Sequence, residues 1–86
     1  MDLSIVIVNW NTRNMLRDCL DSIPEGQPDF RMETIVIDND SSDGSGAMVR
    51  EEFPGVSLIQ NYENLGFATA TNQGLRMARE IGRAHV

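Results

Sequence analysis

The sequence predicts an α/β fold, a three-layer βαβαβα parallel sheet of the Rossmann-like type. Three observations predict it. Ser4 to Val8, Thr34 to Ile37 and Val56 to Ile59 are rich in Ile and Val without polar alternation, as strands covered on both faces are. Stretches with apolar residues at helical spacing follow each run. Strand and helix alternate, and right-handed crossovers then place the helices against a parallel sheet.

The first run, Leu3-Ser-Ile-Val-Ile-Val8, gives way to Asn9-Trp10-Asn11-Thr12. Met15, Leu16, Cys19, Leu20 and Ile23 then recur at helical spacing, with Asn11 or Thr12 as cap and Pro24 closing the segment. Gly26-Gln-Pro28-Asp reads as a surface loop. Thr34-Ile-Val-Ile37 runs directly into Asp38-Asn39-Asp40-Ser-Ser-Asp43-Gly44-Ser45. A second helix is expected from about Gly44 or Ser45 to Phe53, with Met48, Val49 and Phe53 facing inward and Pro54-Gly55 ending it. A third is expected to start near Phe67 and to carry Ala70, Gly74, Leu75 and Ala78. Gly74 inside a helix costs about 1 kcal/mol relative to alanine, so close packing of helix on sheet is expected there.

With 86 residues and 41% hydrophobic content the chain makes one small domain. Its net charge is −6 and its basic residues are scattered, which argues against nucleic acid as a partner. A single cysteine, Cys19, excludes an internal disulfide and fits a reducing, cytoplasmic compartment. The apolar run from Ile5 to Val8 is too short for a signal-peptide core or a membrane span.

The two strand-to-loop junctions, at Asn9 and at Asp38, suggest one ligand site. In a parallel sheet the crevice lies beyond the carboxyl ends of the strands, beside helix N-termini. Asp38 at a strand end can accept a hydrogen bond from a ribose hydroxyl or a base N–H; it can equally be a turn or capping residue. Asn39, Asp40 and Ser41 to Asp43 can be turn chemistry. Asp38-Asn39-Asp40 has a spacing at which two carboxylates bind a divalent cation, but so short a motif arises often by chance. Trp10 can stack on a nucleobase or pack under a loop. Gly66 at a helix entry and Asn72 one turn inside it let backbone approach a ligand, although a simple cap also explains Gly66.

Taken together, Ser4-Ile-Val-Ile-Val-Asn9-Trp10-Asn11-Thr12, Val36-Ile-Asp38-Asn39-Asp40-Ser-Ser-Asp43-Gly44-Ser45, Asn61-Tyr-Glu-Asn64-Leu-Gly66-Phe67 and Asn72-Gln-Gly74 resemble, in this order, the family 2 glycosyltransferases. The resemblance covers about residues 3 to 79 and is greatest to the branch with bacterial rhamnosyltransferases of cell-surface polysaccharide assembly. It implies the N-terminal half of a GT-A fold and an inverting transfer of sugar from a nucleotide-diphosphate donor to an acceptor hydroxyl. By the match of motifs, Val8, Asn9 and Trp10 would line the base pocket, and Asp38 with Asn39 would hold base and ribose. Gly66 and Asn72 would border the donor's ribose and diphosphate. Many members have a second aspartate where this chain has Asn39.

The resemblance also implies a divalent cation, Mg or Mn, held in the full-length parent by an Asp-x-Asp at the end of a fourth strand, and a later carboxylate as base. The chain stops before both, so none of its residues is expected to be catalytic or to bind metal, and Asp38-Asn39-Asp40 is not the metal site. The acceptor would be a glycan or lipid-linked glycan, which allows a place at the inner face of the membrane. Residues 1–79 are thus expected to be a truncated nucleotide-sugar-binding part, inactive alone. Glu80-Ile-Gly-Arg-Ala-His-Val86 can be encoded by a nucleotide string resembling the start of a common short-read sequencing adapter. Residues 80–86 are therefore expected to be a non-native tail, and His85 no ligand or base.

If strand order follows the family, the first strand lies inside the sheet and truncation bares its edge, so the chain is expected to be poorly soluble or partly folded. Two other readings compete: a receiver-like domain phosphorylated on Asp38, and a free-standing nucleotide-binding module. A receiver needs further acidic residues where this chain has Asn9 and Asn11, and a lysine, which the sequence lacks.

Overall fold

The computed structural model describes residues 2–23, 31–81 and 84–85. Its strands are β1 (Asp2–Asn9), β2 (Arg31–Asn39), β3 (Ser57–Asn61) and the two-residue β4 (Ala84–His85); its helices are α1 (Arg13–Ser22), α2 (Ser45–Glu52) and α3 (Phe67–Ile81). The strand order is β3-β2-β1-β4 and every pairing is parallel. Pro24 and the Gly26 to Asp29 loop lie outside the described residues.

Alternate residues of each strand face opposite sides of the sheet. Ile7, Val36 and Leu58 pack on one side with Leu16 and Leu20 of α1 and Met48 and Val49 of α2. Val6, Val8, Ile35, Ile37 and Ile59 pack on the other with Ala70, Met77 and Ala78 of α3. These are the three layers that the unbroken Ile/Val runs predict. Phe53 caps α2 and is half-buried against the α1/α2 side. The strands run past the predicted ends, so that Asp38 and Asn39 are the last two residues of β2 rather than its exit loop.

Gly74 is where α3 lies against the sheet: a Cβ there would overlap Val6 Cγ1 and come within 2.7 Å of Ile37 Cδ1. Its lack of a side chain offsets the helix penalty by letting the backbone sit on those methyl groups. Thr12 occupies the N-cap position of α1 but makes no side-chain capping bond. The reason lies in the neighbouring loop: Arg13 N–H donates to Asp43 Oδ2 at 2.9 Å, and the Thr12 hydroxyl turns to Asn9 Oδ1.

β1 lies between β2 and β4, so the edge expected to be bared is covered in part. β4 meets β1 only at Leu3 and Ser4. No helix among the described residues is long and apolar enough to cross a membrane.

Candidate functional site

At the carboxyl ends of the strands the side chains change from apolar to polar within one residue layer. The register sets Asn9 opposite Asp38 and Asp38 opposite Gln60, which makes a polar row across three strands. The next layer pairs Asn39 with Asn61. Because successive residues face opposite sides, the first row lies under α2 and the second under α3.

Asp38 is 1% exposed, and its carboxylate accepts from four donors. Oδ1 takes Asn9 Nδ2 at 2.9 Å and the Ser41 hydroxyl at 2.7 Å; Oδ2 takes Ser41 N–H at 3.0 Å and Gln60 Nε2 at 2.8 Å. Burial works to raise its pKa, but the donors from Ser41, Asn9 and Gln60 outweigh burial and hold the carboxyl below its ordinary value. Oxygens that already accept this many donors are poorly placed to ligate a cation or to attack a phosphoryl group. These four bonds argue against Asp38 as a cation ligand in an Asp38 to Asp40 pair and against Asp38 as the phosphoryl acceptor of a receiver. Asp40 is exposed in the loop with φ +65°.

Asn39, 2% exposed, is held by three hydrogen bonds. Its Oδ1 accepts from Asn61 Nδ2 at 3.0 Å and Leu65 N–H at 3.4 Å, and its Nδ2 donates to the Gly66 carbonyl at 3.2 Å. Asn61 and Gln73 exchange two amide bonds, at 2.8 and 2.9 Å, tying the end of β3 to α3. Gly66 has φ +83°, a conformation that favours glycine, and its N–H is held by Asn64 Oδ1 at 2.8 Å.

The loops after β1 and β2 are stitched together above this floor. Asn11 N–H donates to Ser41 Oγ at 2.8 Å, and Ser42 N–H donates to Asn11 Oδ1 at 2.8 Å. Asp43 accepts Arg13 N–H and, through Oδ1, the N–H and hydroxyl of Ser45. The Ser45 hydroxyl, against the opposing effect of burial and with help from the Arg13 and Ser45 N–H groups, holds its carboxyl below the ordinary value. An open depression of about 390 Å³ lies beside these loops, lined by Asn11, Thr12, Arg13, Asn14, Met15 and Asp43.

The structure therefore brings Val8, Asn9, Trp10, Asp38, Asn39 and Gly66 to one rim. Trp10 is 54% exposed there and does not pack into the core. Asn72 is not brought in: it is exposed, about half a turn around α3 from the buried Ala70, Gly74 and Ala78. Its neighbour Gln73 joins the network instead. Gln60, Asn61 and Gln73 are the members that sequence reasoning missed, and Gly46 is a fourth position of interest, since a Cβ there would overlap Gln60 Oε1. Among the described residues no three His, Cys, Asp or Glu side chains converge as metal ligands would.

The profile described as glycosyl transferase family 2 matches residues 4–80. The chain belongs to glycosyl transferase family 2. This family 2 chain is 35% identical over 82 residues to the uncharacterized glycosyltransferase YfnE of Bacillus subtilis (strain 168), covering 92% of the chain and 21% of YfnE. It is 35% identical over 75 residues to glycosyltransferase GlyA of Streptococcus pneumoniae serotype 4 (strain ATCC BAA-334 / TIGR4), covering 85% of the chain and 11% of GlyA. A solved structure, the mannosyltransferase PcManGT from Pyrobaculum calidifontis in complex with GDP-Man and Mn2+, superposes with a TM-score of 0.75 at 30% identity, over 88% of the chain and 24% of PcManGT. The chain thus spans less than a quarter of each of these proteins. Its parallel sheet and this neighbour identify the fold as the N-terminal part of a GT-A fold.

Proposed function

We propose that the chain is the donor-binding part of an inverting glycosyltransferase, one that takes a sugar from a nucleotide-diphosphate donor to an acceptor hydroxyl in cell-surface polysaccharide assembly. The observation that supports this best is the polar floor formed by Asn9, Asp38 and Gln60 on one side and Asn39, Asn61 and Gln73 on the other. It lies at the strand ends, where ligands of open α/β sheets bind. The neighbour solved with GDP-Man and Mn2+ supports a nucleotide sugar as the ligand class.

In this reading Asp38 and Asn39 act from below. They fix the backbone of Val8 to Asn11 and of Leu65 to Gly66, which, with the Trp10 ring, face the nucleoside. Asn72 is left out because α3 turns it away. A divalent cation, Mg or Mn, would neutralise the leaving diphosphate in the longer protein. In this reading the cation's ligands come from elsewhere in the longer protein, and this stretch binds the donor without carrying out transfer by itself. The acceptor, a glycan or lipid-linked glycan, falls to other parts of the parent, at the cytoplasmic side of the membrane.

Calorimetric titration with UDP, GDP and dTDP, beside an Asp38→Ala variant, tests the reading. Saturable binding by the parent that weakens in the variant supports it. Equal affinity in both removes the role given to Asp38, and no binding of any of the three removes the donor site.

A further inference from the structure

Trp10 is the sole tryptophan, and it stands half-exposed between two residues that are both tied to the loop after β2. On its N-terminal side Asn9 Nδ2 donates to Asp38 Oδ1 and, at 3.3 Å, to Ser41 Oγ. On its C-terminal side Asn11 N–H donates to the same Ser41 Oγ at 2.8 Å. The Ser41 hydroxyl in turn donates to Asp38 Oδ1 at 2.7 Å. One hydroxyl thus uses its proton and both lone pairs, which is its full capacity. Asn11 adopts φ +52°, in the left-handed region that asparagine enters more readily than most non-glycine residues.

We propose that Ser41 is a positioning residue for Trp10: by bonding the residues on both sides of it, the Ser41 hydroxyl holds the indole at a fixed angle over the crevice, ready to stack on the base of a nucleoside diphosphate. The ligand in this inference rests on the donor reading given above, whereas the clamp on Trp10 does not. Stacking on a ring held in place loses less freedom on binding than stacking on a mobile one. The hydroxyl therefore acts on affinity through Trp10 without touching the ligand.

Because Trp10 is unique, its fluorescence reports the clamp directly. In Ser41→Ala the time-resolved anisotropy of Trp10 is expected to show an added nanosecond motion while far-ultraviolet circular dichroism stays that of the parent. Affinity for the tightest-binding of UDP, GDP and dTDP is expected to fall by up to about tenfold, the order set by one hydrogen bond. Ser41→Thr, which keeps the hydroxyl, is expected to restore both. Should Ser41→Ala fail to fold, Ser41→Cys, whose thiol is a weaker donor and acceptor than the hydroxyl, is expected to move both readouts the same way by less.

Unchanged Trp10 motion in a folded Ser41→Ala protein overturns the clamp. Added motion with unchanged nucleotide affinity overturns the link from clamp to ligand. A parent that binds none of the nucleotides overturns the donor reading, and with it the ligand, while the anisotropy comparison still decides whether Ser41 holds Trp10.

Discussion

Replacing Asp38 by asparagine removes one acceptor oxygen from a buried side chain and leaves its shape unchanged. Oδ1 can still accept from Asn9 and Ser41, but the new amide nitrogen then faces Ser41 N–H and Gln60 Nε2, donor against donor. Gln60 cannot flip freely, because the same Nε2 donates to the Asn61 carbonyl at 3.0 Å. Two hydrogen bonds to a charged group are lost, each worth about 1.5–3 kcal/mol, so the expected destabilisation is about 3 kcal/mol or more. An 86-residue chain has a total stability of roughly 4–13 kcal/mol by the usual per-residue range, so the loss is a large part of it. Urea unfolding followed by circular dichroism, with parent and variant at the same low concentration, measures the difference. The sign of its pH dependence is fixed by the lowered pKa of Asp38. A group held below its ordinary value of 3.8 gives its full stabilisation above that pH and loses it as pH falls through the folded value. The gap between parent and Asp38→Asn should therefore be constant from pH 7 to about pH 5 and close below about pH 4. A variant within 1 kcal/mol of the parent at pH 7, or a gap that does not narrow in acid, would refute the assignment of Asp38 as an ionised keystone.

Gly74→Ala gains about 1 kcal/mol of helix propensity but forces a methyl group onto Val6 and Ile37, where overpacking costs about 1–3 kcal/mol; a net loss in urea unfolding is expected, and a stabilised variant would show that α3 is not pressed on the sheet. The Arg17 to Glu52 pair joins α1 and α2 with Nε and Nη2 donating at 3.0 and 2.8 Å, but both side chains are solvent-accessible. A double-mutant cycle with Arg17→Ala and Glu52→Ala is expected to find coupling too small to resolve at moderate salt, and a large coupling would contradict this. β4 covers β1 only at Leu3 and Ser4, so the Ile5 to Val8 edge offers unpaired backbone groups among the described residues. Sedimentation is expected to show association that rises with protein concentration, and a monomer across the micromolar range would contradict it.

Much of the fold was legible because burial on both faces leaves a direct trace: the Ile/Val runs became β1, β2 and β3, and the helical spacing of Leu16 with Leu20 and of Val49 with Phe53 named the faces of α1 and α2. Gly74 was legible for the same reason, since a glycine inside an apolar helix pattern needs a close approach. The site was legible only as a location. That Asp38 is a buried acceptor of four donors follows from the register Asn9 to Asp38 to Gln60, and register is set by pairing of strands far apart in sequence. Gln60 and Gly46 carry no local signal of their tie to Asp38. On α3 a single residue step turns a side chain by about 100°, so choosing Asn72 over Gln73 was enough to miss the network. Thr12 reads as a helix cap because its type and position fit, yet Asp43 of another loop does that work.

The most direct test of the donor site is an NMR titration of the ¹⁵N-labelled chain with UDP, GDP and dTDP. The account predicts that at least one nucleotide shifts a connected set of backbone signals at Val8 to Asn11, Asn39 to Ser42 and Leu65 to Phe67, together with the Trp10 indole N–H. Saturating shifts centred instead on the opposite ends of the strands, around Ser4 and Ser57, or none with any nucleotide, would contradict it.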